Sequence, residues 1–134
     1  MFEQILKNGN LKVTPQRMAI LQEINTKGHI SIDEIYENIK KNHPSMSLAT
    51  IYKNLTSMQE VKIIDEVKLP NQKPRYELTK RPHIHLVCER CGMIKDIHLE
   101  EAIDNLKQSC EKETGYKIQD SSIALLGICK ECES

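Results

Sequence analysis

Two cysteine pairs, Cys88-Glu-Arg-Cys91 and Cys129-Lys-Glu-Cys132, constrain this chain more than any other feature. A two-residue gap lets both sulfurs of a pair converge on one ion from a tight turn, and Gly92 and Gly127 beside the pairs suit such knuckles. Four thiolates favour a closed, tetrahedral Zn2+ site, which has no open position and so holds structure instead of performing chemistry. Zinc would pin the end of the sequence, otherwise free to fray, back to the segment at Cys88. The alternative, two redox-active pairs, requires the leading cysteine to begin a helix, and neither pair is expected to do so. The fifth cysteine, Cys110, falls on an apolar helical stripe and is expected to be a packed thiol.

A chain of 134 residues with 39% apolar and 28% charged residues has enough of both for one compact body or two small ones, which argues against disorder. One Phe, four Tyr and no Trp leave an aliphatic core, and a small unit with such a core usually needs a metal or a partner subunit. No run of 18 apolar residues or export signal is seen, so a cytoplasmic protein with no membrane partner is expected. The net charge is zero, but residues 1–80 hold 12 Lys or Arg against 9 Asp or Glu, and residues 81–134 hold 7 against 10.

Helical signals fill the first sixty residues. FEQILKNG ends at Gly9, expected as a left-handed stop; Thr14 then precedes Pro15, a cap followed by the proline favoured at the first helical position. Met18, Ile20, Leu21 and Ile24 recur at helical spacing before Gly28. Ser31-Ile-Asp-Glu34 is a capping box, followed by the stripe Ile32, Ile35 and Ile39, with Pro44 expected to close that helix. Ser47 can cap a fourth helix with Leu48, Ile51, Leu55 and Met58 facing inward and Ala49, Tyr52, Lys53 and Thr56 facing out. VKIIDEV and RYELT, joined by LPNQKP, read as a hairpin, so residues 1–80 are expected to form a winged helix-turn-helix. KRPH at 80–83 resembles a linker. Beyond it, HIHLVC and MIKDIHL alternate as strands, Leu99, Ile103, Leu106 and Cys110 form a helical stripe ended by Gly115, and KIQDSSIALLG reads as a last strand. The whole is an α+β chain with a small α/β unit at 81–134.

His83 and His85 share one face of a strand, as Asp96 and His98 share a face of its candidate partner. Singly each is weak evidence, since surface histidines are mostly solvated. Together, beside a zinc knuckle, they suggest a second metal site.

TPQR at 14–17, HISIDEIY at 29–36, SLATIYKNL at 47–55, RYEL, HIHLVC, CG and a terminal CxxC, in this order, resemble the Fur family of metal-dependent bacterial repressors along essentially the whole chain. The resemblance implies a DNA-binding winged helix followed by a dimerisation domain with a four-cysteine zinc site, and therefore a homodimer that reads double-stranded DNA at an inverted repeat. It puts a regulatory metal on His29, Glu77, His83, His85 and Asp96, of which His29 and Glu77 belong to the first domain. Three imidazoles and two carboxylates suit Fe2+ or Mn2+. Such an ion, gripping both domains, would fix their relative orientation.

The same resemblance sends the helix at 47–59 into the major groove, with Tyr52 and Lys53 on its exposed face and Ala49 and Thr50 near its start; Lys12 and Arg17 would lie near the DNA backbone or minor groove. Tyr can touch a thymine methyl, and Lys can donate to guanine. Without the resemblance these residues could equally be a solvated helix face. Within the family, the short ends and the absence of the ligands of an additional site (Pro82, Ile84 and Ser121 stand there) favour the peroxide-sensing branch, in which iron-driven oxidation of a ligand histidine ends repression. Glu77 points the other way, since iron-uptake regulators carry Glu there and the better-known peroxide sensors carry Asp. Outside the family, a zinc-ribbon interaction module or a small metal hydrolase would fit the cysteines or the histidines; the hydrolase needs a metal-bound water and a base, for which five protein ligands leave little room.

Overall fold

The computed structural model describes residues 1–69, 71–80 and 82–133. It is an α+β chain in two compact units, Met1–Thr79 and Lys80–Ser134. No helix among the described residues is long and apolar enough to cross a membrane.

The first unit contains α1 (Phe2–Asn8), α2 (Pro15–Lys27), α3 (Ile32–Ile39), α4 (Leu48–Glu60), β1 (Ile64–Val67) and β2 (Arg75–Leu78). Three helices begin where a side-chain oxygen satisfies an otherwise orphaned amide: Thr14 accepts from Arg17 N, Ser31 from Glu34 N and Ser47 from Thr50 N. Their apolar stripes meet in one aliphatic core in which Leu6, Ile20, Leu21, Ile24, Ile35, Ile51, Leu55, Met58 and Ile64 are buried. β1 and β2 pair antiparallel as a wing, with Asp65 opposite Glu77.

Several expectations need correction here. Gly9 ends α1 with φ −87°, and Asn10 takes the left-handed conformation instead, at φ 59°. The short polar side chain of Asn tolerates that region. α3 stops at Ile39, ahead of Pro44, because its apolar stripe is exhausted there. Leu48 is 44% exposed, since the first turn of α4 projects beyond the core that holds Ile51 and Leu55. Pro70, in the wing loop, and Arg81, in the expected linker, lie outside the described residues.

The second unit contains β3 (Ile84–Cys88), β4 (Ile94–Ile97), α5 (Glu100–Thr114), β5 (Ile123–Gly127) and a single helical turn, α6 (Lys130–Glu133). The sheet order is β4-β3-β5, with β4 antiparallel and β5 parallel to β3. Gly115 ends α5 in the left-handed conformation at φ 76°. The last strand is shorter than the run from Lys117 suggests, because residues 117–122 pair with no strand among the described residues.

This unit has a thin core. Ile103, Val87, Cys88 and His85 are buried, whereas Leu99, Leu106, Leu125, Leu126 and Ile128 are 43% exposed or more. Cys110 is exposed, not packed, because the stripe it shares with Leu99 and Leu106 finds no cover in a single chain beyond Ile103.

Candidate metal centres

β3 ends at Cys88, and the turn after it returns Cys91 toward the same point, with Gly92 N donating to Cys88 O across 2.9 Å and Gly92 at φ 76°. Glu89 N donates to Gly127 O across 2.8 Å, which sets the exit of β5 beside this knuckle and brings Cys129 and Cys132 in. All four sulfurs then lie within 4.8 Å of one another. Cys91 Sγ and Cys129 Sγ are 3.8 Å apart, and sulfurs bound tetrahedrally to zinc at about 2.3 Å stand about 3.8 Å apart.

The electrostatics of the cluster favour a cation. Amides of Cys91 and Cys129 donate to Cys88 Sγ at 3.5 and 3.3 Å, and these donors hold the Cys88 thiol down at about 6. Cys132, facing the sulfurs of Cys129 and Cys91, is pushed up to about 12. One thiolate forms readily and the last resists, so a dication is what allows all four to ionise together. Arg90 Nη1 donates to Cys132 O across 2.7 Å and ties the first knuckle to the second. Cys129 does stand directly before the single turn α6, contrary to expectation, but each pair faces the other across the cluster, which a redox pair working alone does not require.

The histidines and carboxylates form two sets, one per unit. In the first, a bridge pairs Ile30 with Tyr76 on the wing strand, and His29 Nε2 lies 2.8 Å from Glu77 Oε2. In the second, the β3–β4 register puts His85 directly opposite Asp96. His83, just before β3, closes a triangle: its Nε2 is 3.1 Å from His85 Nε2, and Asp96 Oδ1 is 3.8 and 3.7 Å from the two rings. Adjacent ligands of an octahedral ion at about 2.1 Å are about 3 Å apart, so each close contact by itself matches neighbouring positions on an ion. Glu77 and His85 are buried, and the side chain of His29 is 14% exposed.

His98 is exposed, with its ring centroid 5.4 Å from that of His83, beside the triangle rather than in it. The linker residue Lys80 was not anticipated from sequence: its Nζ meets Asp96 Oδ2 at 2.9 Å, leaving Oδ1 toward the imidazoles. No motif signals that contact, which joins residues sixteen apart through the sheet.

On α4, Ala49, Tyr52, Lys53 and Thr56 are exposed as expected, Tyr52 by 59%. The Thr50 hydroxyl instead faces Ser47 Oγ at 3.0 Å in the helix cap. Lys12 is exposed, while Arg17 is partly buried and engaged with protein atoms.

Comparison with known proteins returns one consistent picture. The model of the Ferric uptake regulator family matches residues 8–126. The Peroxide operon regulator of Bacillus subtilis is 33% identical over 130 residues, covering 96% of this chain and 89% of that protein. The crystal structure of the Campylobacter jejuni peroxide stress regulator superposes with a TM-score of 0.78 at 39% identity, covering 98% of this chain and 99% of the other. The Vibrio cholerae ferric uptake regulator gives 0.76 at 27% identity, with 96% and 100% covered.

Proposed function

Because the chain belongs to the ferric uptake regulator family, we propose that it is a metal-dependent, DNA-binding transcriptional repressor that senses peroxide. The observation that carries this reading is the His29–Glu77 pair: two metal-ligand side chains held together inside the unit whose α4 presents Tyr52 and Lys53 to solvent. With His83, His85 and Asp96 they are, as the family resemblance implies, the residues that would hold one regulatory ion, Fe2+ or Mn2+, and Cys88, Cys91, Cys129 and Cys132, whose sulfurs already converge, would hold a structural Zn2+. Two carboxylates offset the charge of a dication; imidazole nitrogen suits iron, and carboxylate oxygen suits manganese.

Ligands drawn from both units make the ion a ligand for one arrangement of them. Moving a population from mostly open to mostly closed takes about 5 kcal/mol of differential binding, which coordinate bonds made only in the closed state can supply. In that state a homodimer offers two copies of α4 to successive major-groove half-sites of an inverted repeat. Lys53 can donate to guanine, Tyr52 can contact a thymine methyl, and Lys12 can reach the backbone. The exposed Leu99, Leu106, Leu125 and Leu126 are the surface that a second copy covers. A bacterial DNA-binding regulator works where the DNA is, in the cytoplasm, and its function is binding, not turnover.

Bound Fe2+ supplies the reductive cleavage of peroxide. By similarity to the family's peroxide sensors, His29 and His83 are the residues that would take the oxidation, and an oxidised imidazole would no longer hold its place in the set. The test is anaerobic Fe2+ loading, addition of stoichiometric hydrogen peroxide, and mass spectrometry of the peptides containing His29 and His83. A gain of one oxygen with release of DNA is the expected result. Intact histidines with continued DNA binding would favour regulation by iron availability, a second reading supported by Glu77 in place of Asp.

A further inference from the structure

The guanidinium of Arg17 is held by protein acceptors through two of its five N–H donors. Nε donates to Asn54 Oδ1 at 3.2 Å and Nη1 donates to Lys12 O at 2.7 Å. Asn54 in turn donates from Nδ2 to Thr50 O at 3.0 Å, one turn back along α4. The connections run from the backbone of Lys12, through Arg17 and Asn54, to the backbone of Thr50, and so join the segment before α2 to the exposed face of α4.

Each link is directional. Turning the Asn54 amide over would set its NH2 against Arg17 Nε–H and its oxygen against the Thr50 carbonyl, so one orientation alone satisfies both neighbours. The guanidinium is planar with its donors at fixed angles, which lysine cannot reproduce. Asn is a weak helix former that competes for backbone groups, and a mid-helix position such as 54 calls for a specific partner. Both acceptors are neutral, and no carboxylate pairs with Arg17 among the described residues, so its positive charge is retained beside α4.

We propose that Arg17 and Asn54 form a brace fixing Lys12 relative to the recognition face of α4, which makes Asn54 a specificity-determining positioning residue although it contacts no base. The proposal rests on the reading of this chain as a DNA-binding protein. A brace of this kind acts on the register between two sets of DNA contacts. It therefore affects binding to the correct sequence, where all contacts must be made at once, and leaves nonspecific phosphate binding alone.

The experiment uses full-length, Mn2+-loaded protein, a duplex selected by the wild type from a random-sequence library, and a scrambled duplex of equal length. Asn54→Ala keeps the Arg17 charge and removes the brace; affinity for the selected duplex is expected to fall about tenfold, as for loss of a hydrogen bond to a charged group, with the scrambled duplex and the salt slope unchanged. Arg17→Lys is expected to behave alike. In the free protein, exchange of the Arg17 Nε–H followed by NMR is expected to be slow in the wild type and fast in Asn54→Ala. Affinity of Asn54→Ala within twofold of wild type, or equal weakening on both duplexes, overturns the proposal. So does fast exchange in the wild type. If the wild type selects no duplex at all, the DNA-binding reading fails by itself, and the exchange measurement still reports whether the brace exists.

Discussion

His29 and Glu77 face each other across a backbone bridge. Ile30 N donates to Tyr76 O at 3.1 Å and Tyr76 N donates to Ile30 O at 2.8 Å, and in an antiparallel pair the next residues outward, 29 and 77, then lie opposite. Their side chains meet at 2.8 Å. Backbone hydrogen bonds between the segment before α3 and the wing thus set the spacing of two candidate metal ligands forty-eight positions apart.

His29→Ala removes a proposed ligand without touching that bridge. Metal-dependent DNA affinity is expected to fall to the metal-free level, while the far-ultraviolet circular dichroism spectrum is retained. Fluorescence anisotropy of a labelled duplex with and without Mn2+ checks this, and normal metal activation in the variant would refute the role given to His29.

Zinc removal should act on one unit. With so little buried among the described residues of this unit beyond Ile103, Val87, Cys88 and His85, a zinc ion held by the four cysteines would supply much of its folding free energy. Chelation, or Cys129→Ser, is expected to raise amide hydrogen exchange throughout β3, β4 and α5 and to leave α2 to α4 protected. Unchanged exchange after verified loss of zinc would contradict it.

Leu106→Asp tests self-association. Leu106 is 51% exposed on the stripe that includes Leu99 and Cys110, so a charge there costs little in a single chain but much under a second copy. Light scattering is expected to show a dimer for the wild type and a monomer for the variant.

Ser47→Ala removes the cap of α4, since Ser47 Oγ accepts from Thr50 N at 3.1 Å. A loss of about 1 kcal/mol in urea unfolding is expected. The slope with denaturant should not change, because the core residues Ile51 and Leu55 stay in place.

Helix starts were legible because capping is a matter of three or four residues: Thr14 before Pro15, Ser31 before Glu34 and Ser47 before Thr50 could be read without knowing the fold. The cysteine cluster was legible for a similar reason, as a two-residue gap dictates a knuckle wherever it lies. Gly9 was misread because sequence does not say whether the glycine or the asparagine beside it takes the positive φ, and Asn10 does. Cys110 was misread because an apolar stripe shows that a face needs cover without showing that the same chain supplies it.

The order of residues in this chain already set where the main helices and strands begin and which ligand types are available, because both depend on spacing over a few residues. Only the tertiary structure decided that Arg17 would turn to Asn54, that Lys80 would take the second oxygen of Asp96, and that His29 would meet Glu77. Those pairings join distant positions, and their geometry is set by how helices and strands pack and by the register of the backbone between them.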